Sequence, residues 1–172
     1  MLTFALAATA CLLYTPSVAG AQSKTTTGKP TATSPAKAAS TTAAAKEQLA
    51  DGKQVYATTC AACHQATGEG VSGVFPPLAG SEWVTGDDAK LVRIVLHGVT
   101  GPIEVAGETF NGMMPGWGTT LKDPDIAAVL TYVRSTWGNK GTPITAASVA
   151  KIRAATSSRT TPWTAAELAG VK

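Results

Sequence analysis

Cys60 and Cys63 stand two residues apart, and His64 follows the second of them directly, in the string Cys60-Ala61-Ala62-Cys63-His64. On a helical turn, residues three and four apart share a face, so both sulfurs can reach one edge of a flat prosthetic group. The imidazole then projects toward a metal at its centre from the same side. Ala61 and Ala62 are small and let the backbone lie close to such a group. Read this way, the string is a haem-attachment motif, with one haem c bound covalently through Cys60 and Cys63 and His64 as an iron ligand. Three other readings use the same atoms. A thioredoxin-like redox pair calls for a βαβ surrounding, and none is visible. A zinc site built from Cys60, Cys63, His64 and His97 has suitable ligand types, but adjacent Cys63 and His64 make awkward tetrahedral ligands. An exported chain could also close the pair as a structural disulfide.

The rest of the composition bears on that choice. Cysteine occurs three times in 172 residues, an odd number that argues against a closed disulfide framework. Apolar residues make up 44 % of the chain, enough for a core, yet Phe, Tyr and Trp together reach 6 %. A large buried prosthetic group would supply the missing bulk. The formal net charge of +3 hides a division. Between Asp51 and Gly138, five basic residues face nine acidic ones, a net of −4, while the flanks are basic. An acidic central domain gives no support to a nucleic-acid partner.

Residues 1–21 have the pattern of an export signal. An apolar run from Leu2 to Tyr14 precedes Pro16, and Ala19 and Ala21 fit a small-residue cleavage site. No Lys or Arg precedes the run, which departs from the usual pattern. Cys11 falls inside it and would leave with it. If the segment were retained, it would associate the chain with a membrane through its N-terminus. Residues 22–45 are Thr, Ala, Ser, Lys and Pro without apolar periodicity, the composition of a disordered linker.

Order is expected from Lys46. Leu49, Gly52, Tyr56, Cys60 and Cys63 recur at three- and four-residue steps, one face of a helix. Turn residues dominate to Gly80, with Phe75-Pro76-Pro77-Leu78 as a stiff extended segment. A second helix is expected from Asp87 to His97, stopped by Gly98. Residues 99–120 read as Gly-rich and irregular. The clearest helix runs from Asp123, as its cap, to Trp137, with Pro124 in its first turn and Gly138 at its end. Shorter helices are expected after Thr145 and at the capping box Thr164-x-x-Glu167. The fold class is thus all-α with long Gly-rich loops, and loops of that length need something to pack against. The domains read as 1–21 signal, 22–45 linker, 46–139 haem domain, and 140–172 a C-terminal extension.

From about Gln48 to Asn139 the sequence resembles bacterial class I c-type cytochromes. The resemblance is carried by Gly52 and Tyr56, the Cys60–His64 motif, Gly68-x-Gly70, Phe75-Pro76-Pro77-Leu78, Asn111-Gly112-Met113-Met114-Pro115 and the string from Asp125 to Arg134. Gly101-Pro102-Ile103 and Trp137-Gly138-Asn139 look like modules found beside quinoprotein dehydrogenases, oxidases or nitrite reductases. About half the chain is covered. The resemblance implies a cytochrome c-like helical domain around the haem, with Met114 as the second iron ligand beside His64. Met113 is the competing thioether, with core packing as its other role. His97, at a helix end, fits a dipole partner or a surface residue better than a ligand. The family places a proline carbonyl against the ring N–H of the proximal histidine, and Pro77 or Pro76 matches, with Pro77 taken as the site residue. Trp83, Trp117 and Trp137 could wall the porphyrin or donate to a propionate, or simply pack in the core.

With both axial positions filled, the iron has no open site for a substrate. The resemblance therefore implies an electron-transfer protein and not an enzyme, periplasmic or otherwise exported. It would pass single electrons from a dehydrogenase or quinol-side donor to a terminal reductase or oxidase, through transient charge-steered contacts. Two readings compete: a haem-bearing subunit of a larger respiratory or dehydrogenase complex, and a small-ligand sensor or enzyme if the distal site is open. The basic residues after Asn139 could dock on a partner or on anionic lipid, or form a solvated belt around the domain.

Overall fold

The computed structural model describes residues 36–171, with side chains from residue 44 onward. The expected signal at 1–21, Cys11 and the linker up to residue 35 lie outside the described residues. The first helix, α1 (Ala36–Thr59), starts well before Lys46 and takes in the last part of the segment read as linker. Six of residues 36–45 are alanine, the strongest helix former. Propensity alone therefore extends the helix outward where apolar periodicity is absent.

At its other end α1 gives way through Cys60 to α2 (Ala61–His64). Cys60 N–H donates to the Tyr56 carbonyl at 2.9 Å, and His64 N–H to the Cys60 carbonyl at 2.9 Å. After a loop come α3 (Glu82–Thr85), capped by Ser81, and α4 (Asp88–His97). Asp87 caps α4 by accepting from Ala89 N–H at 2.7 Å and Lys90 N–H at 3.1 Å, and Gly98 ends it, as the sequence pattern requires.

Residues 99–120 are not irregular throughout. They include an antiparallel hairpin, β1 (Gly98–Val105) and β2 (Glu108–Pro115), with Val99 opposite Met114. Its two-residue turn holds Ala106 at φ 51° and Gly107 at φ 81°, the doubly left-handed turn that suits the twist of paired strands. Ala-Gly stands where Asn-Gly would have signalled the turn, and glycines interrupt the side-chain alternation, so the strands escape a pattern search. The fold is a helical domain with this one small sheet among the described residues.

α5 (Asp123–Ser135) also differs at its ends from expectation. Its cap residue is Lys122, whose N–H donates to the Asp125 carboxylate at 3.1 Å, so Asp123 is already helical. Trp137 lies beyond the last turn at φ 55°. α6 (Ala146–Ala155) and α7 (Ala165–Ala169) follow at the expected places, capped by Thr145 and by the Thr164–Glu167 box. α6 packs on α4 and α5, and α7 on β1.

The core forms where α1 and α4 meet α5, around Val92, Leu96, Ile126, Val129, Leu130 and Val133. α1 crosses α5 at Gly52, where an added Cβ would overlap the Ala128 carbonyl and come within 2.8 Å of Tyr132 Cβ. Backbone contact of that kind admits glycine alone. Tyr56, Tyr132 and Trp137 close the crossing, with centroid separations of 5.0 to 5.7 Å. Gly52→Ala should therefore lower stability by about 1–3 kcal/mol through overpacking, read as a lower midpoint in urea unfolding followed by circular dichroism. An unchanged midpoint would show that the two helices separate more easily than this packing implies.

Candidate functional site

His64 is 8 % exposed at the end of α2, and its imidazole Nδ1 lies 2.9 Å from the Pro76 carbonyl. A carbonyl only accepts, so Nδ1 carries the proton and Nε2 is left with its lone pair. Burial holds the imidazole pKa below the ordinary histidine range, against the opposing effect of the Pro76 bond. The side chain is thus a neutral base with one nitrogen committed and one available. The acceptor is Pro76 and not Pro77: the neighbouring carbonyl is the one turned toward the ring, while Pro77 lines the cleft wall.

Local backbone explains why Pro76 sits there. Gln65 reverses the chain at φ 62°, and the Tyr56 hydroxyl donates to its carbonyl at 2.5 Å. Gly70 N–H donates to the His64 carbonyl at 3.0 Å. Gly70 itself lies at φ 66°, and a Cβ there would stand 2.6 Å from the Pro76 oxygen. The loop returns to Gly68, whose carbonyl accepts from Leu78 and Ala79. Asn139 fixes its far end, accepting from Gly80 N–H at 2.9 Å and donating to the carbonyls of Leu78 and Val133.

His64 and Cys63 open on a cleft of about 330 Å³. Phe75, Pro76, Pro77 and Leu78 line one side, Leu91 and Ile94 of α4 the back, and the hairpin the other side through Val99, Ile103, Val105 and Phe110. Met113 and Met114 both border it. They differ in burial: Met113 is 69 % exposed, whereas Met114 is partly buried and packs against the core. Cys60 and Cys63 are free thiols, neither fully buried, and Cys60 packs against the core rather than lining the cleft. Desolvation, reinforced by charge interaction with Cys63, pushes the Cys60 thiol up to about 11.

The other expected residues separate. His97 is not on the cleft; its Nε2 lies 2.7 Å from Thr156 Oγ1 and its ring meets Trp163 edge-on. No group of three or more His, Cys, Asp or Glu side chains among the described residues could hold a metal ion, so Cys60, Cys63, His64 and His97 do not form a zinc site. Of the three tryptophans, Trp83 alone lines the cleft, and its indole N–H already donates to the Glu104 carbonyl at 2.8 Å. Trp117 and Trp137 pack against the core. Sequence reasoning missed Asn139 as the loop clamp and Arg153 and Trp163 in the extension; an amide next to glycine carries no distinctive spacing.

These groups fit a covalently attached haem. Two thiols and an imidazole stand on one helical turn, the imidazole presents a free Nε2, the walls are apolar, and a thioether borders the cleft. A family model described as Cytochrome c matches residues 49–137. The chain is 44 % identical over 109 residues to cytochrome c-552 of Thermus thermophilus, which covers 58 % of this chain and 82 % of that protein. It is 41 % identical over 102 residues to the cytochrome c subunit of an alcohol dehydrogenase (quinone) from Gluconacetobacter polyoxogenes, covering 57 % of this chain and 21 % of that one. Over 100 residues it is 37 % identical to the Cbb3-type cytochrome c oxidase subunit CcoP of Azospirillum sp., covering 54 % and 30 %.

The Tyr56 hydroxyl supports the turn directly after His64, and burial holds its pKa above the ordinary tyrosine range. Tyr56→Phe should cost about 1 kcal/mol of stability, the net value of one such hydrogen bond. Urea unfolding of the two proteins checks this, and equal unfolding midpoints would remove the bond from the account of the turn.

Proposed function

The chain belongs to the cytochrome c family, and from that premise we propose that it is an exported one-electron carrier with a His64/Met114-ligated haem. Haem held here supplies a one-electron Fe(III)/Fe(II) couple. Everything else in the proposal concerns what the chain's own residues do. Cys60 and Cys63 fix the group by thioether bonds. His64 donates through Nε2, its orientation and basicity set by the Pro76 carbonyl. Met114 completes the ligand set from β2, and a neutral thioether favours the reduced iron and raises the potential. The apolar walls keep water from the ring.

The observation that carries this reading is the difference between the two adjacent methionines. Met114 is held against the core opposite Val99, whereas Met113 is largely in solvent and would have to be desolvated and ordered to serve as a ligand. The relatives include subunits of a dehydrogenase and of an oxidase, which supports redox proteins as partners. A dehydrogenase or quinol-side donor and a terminal reductase or oxidase as acceptor are the two ends we propose. Export rests on the sequence of residues 1–21. Among the described residues no helix is long and apolar enough to cross a membrane.

Charge around the cleft supports transient contacts. Glu108 accepts from Ser72 and Gly73 at one lip, and Glu82 accepts from Ala106 N–H at the hairpin turn. Glu104 sits on β1 between Ile103 and Val105, which line the cleft, so its side chain lies on the opposite face of the strand. Among the described residues no lysine, arginine, aspartate or glutamate lines the cleft itself, so the carboxylates stand at its rim. Exposed Val74, next to Gly73 whose N–H donates to Glu108, lines the cleft at this lip, while exposed Met113 borders it nearer the other end of the hairpin.

Met114→Ala should abolish the methionine–iron charge-transfer band of the oxidised protein. Its potential should fall by a tenth or more of the roughly 0.8 V range over which axial ligands set haem potentials. Met113→Ala should leave both unchanged; visible spectra and potentiometric titration of the exported proteins check this, and the reverse pattern would assign the ligand to Met113. The lip carboxylates predict that reduction by a small cationic complex slows as salt rises from 10 to 200 mM, by severalfold, while reduction by an anionic one speeds up. Stopped-flow rates that ignore salt for both reagents would dismiss electrostatic steering at this face.

A further inference from the structure

The loop that follows Met114 is held by residues lying beyond the family domain. After Pro115 the chain runs back along the end of α4: Trp117 N–H donates to the Val95 carbonyl at 2.8 Å and Gly118 N–H to the Leu96 carbonyl at 3.0 Å. Space is short there, since a Cβ on Gly116 would stand 2.6 Å from the His97 carbonyl carbon. Over this segment α6 places the guanidinium of Arg153. Its Nε donates to Asp123 Oδ1 at 2.7 Å, Nη1 to the Gly118 carbonyl, and Nη2 to the Leu121 carbonyl at 3.0 Å. One planar fork therefore ties two carbonyls of the connection between β2 and α5 to the first residue of α5.

The same extension reaches the other side of Met114. Trp163 N–H donates to the Gly98 carbonyl at 3.0 Å, and its own carbonyl accepts from Thr100 N–H at 2.8 Å. These bonds lie along the outer edge of β1, flanking Val99, and Val99 is the partner of Met114 across the hairpin. Arg159 stacks on the Trp163 ring at 3.6 Å and pairs with Glu167 at 2.9 Å. Between the two attachments, Thr156 is buried and its hydroxyl contacts His97. Met114 is thus bracketed: the strand opposite it is backed by Trp163, and the loop after it is clasped by Arg153.

We infer that residues 145–164 form a strap that holds Met114 in its ligand position, with Arg153 as the positioning residue. The inference rests on the His64/Met114 reading above. Arg153 touches neither the cleft nor the methionine; it acts by suppressing the loop motions that would let the thioether withdraw. A methionine that withdraws more often leaves its coordination position open to an added ligand. The apparent affinity for that ligand then rises in proportion to the open population.

The test is an imidazole titration of the oxidised, haem-loaded full chain, followed at the methionine–iron charge-transfer band. Arg153→Gln should bind imidazole about tenfold more tightly than the unaltered protein, the lower range seen when a residue supporting a metal ligand is removed. Arg153→Lys keeps the charge without the fork and should fall between the two. Val133→Ala, a core truncation further along α5, should lower thermal stability yet leave the imidazole affinity in place. If Arg153→Gln takes up no haem, Arg153→Lys and Asp123→Asn supply the same reading. Unchanged affinity in the Arg153 variants overturns the strap, as does an equal shift in Val133→Ala at matched loss of stability. An unaltered protein without the charge-transfer band overturns the methionine ligation first and the strap with it, and is recognised before any variant is made.

Discussion

The hydrogen bond between His64 Nδ1–H and the Pro76 carbonyl joins two parts of the chain that no regular element connects. It selects the tautomer, so that Nε2 faces the cleft with a lone pair. It also stops the ring from rotating, which an imidazole at a helix end would otherwise do. In return, the loop from Gln65 to Gly80 gains a fixed point in its last third. That loop carries few side chains able to bury themselves, and its geometry depends on backbone bonds: Gly70 to His64, Leu78 and Ala79 to Gly68, Gly80 to Asn139. The cleft wall formed by Phe75 to Leu78 stands where it does because those bonds and the imidazole agree on one conformation.

The scaffold beneath is built to hold that turn steady. Gly52 lets α1 lie against α5 at backbone contact, and the Tyr56, Tyr132 and Trp137 rings fill the space at the open end of the crossing. Tyr56 has two tasks there, since its ring packs in this cluster while its hydroxyl supports the Gln65 carbonyl. A chain with 6 % aromatic residues spends three of its rings on this crossing and, among the described residues, brings Phe75, Trp83 and Phe110 to the cleft. The cleft is therefore lined mainly by aliphatic groups and proline, surfaces suited to a flat apolar partner larger than a side chain.

Much of this could be read from the sequence because it is local. The thiols and imidazole fall within one helical turn, the caps at Asp87, Thr145 and Thr164 lie within three residues of the N–H groups that donate to them, and the apolar stripe of α5 has a plain helical period. What escaped depends on long-range agreement. The hairpin was obscured by glycines in its strands and by an Ala-Gly turn, and its pairing is expressed only when both strands are present. The choice of Pro76 over Pro77 depends on which carbonyl the loop turns inward, and adjacent prolines differ in no local property. Asn139 and Arg153 act by reaching backbone carbonyls far away in the chain, contacts that leave no trace in spacing. The start of α1 was missed for the opposite reason: alanine propensity carries it outward with no buried face to mark it.

The two sides of the cleft consequently differ in how they are stabilised. On the His64 side, imidazole, turn and acceptor lie between residues 60 and 76, so the contacts that orient the imidazole close short loops at small entropic cost. On the Met114 side, the proposed ligand sits near the end of a two-stranded hairpin, an element that has marginal stability by itself. Its support comes from α4 and from the extension, through contacts that span tens of residues, such as those from Arg153 to Gly118 and from Trp163 to Gly98. Local opening follows the weaker set of contacts, so the methionine side is expected to open before the histidine side. Covalent attachment next to the histidine fits that asymmetry: the fixed bonds fall on the side closed by short-range contacts, and the proposed methionine ligand is left to the side whose hold on it is set by distant residues.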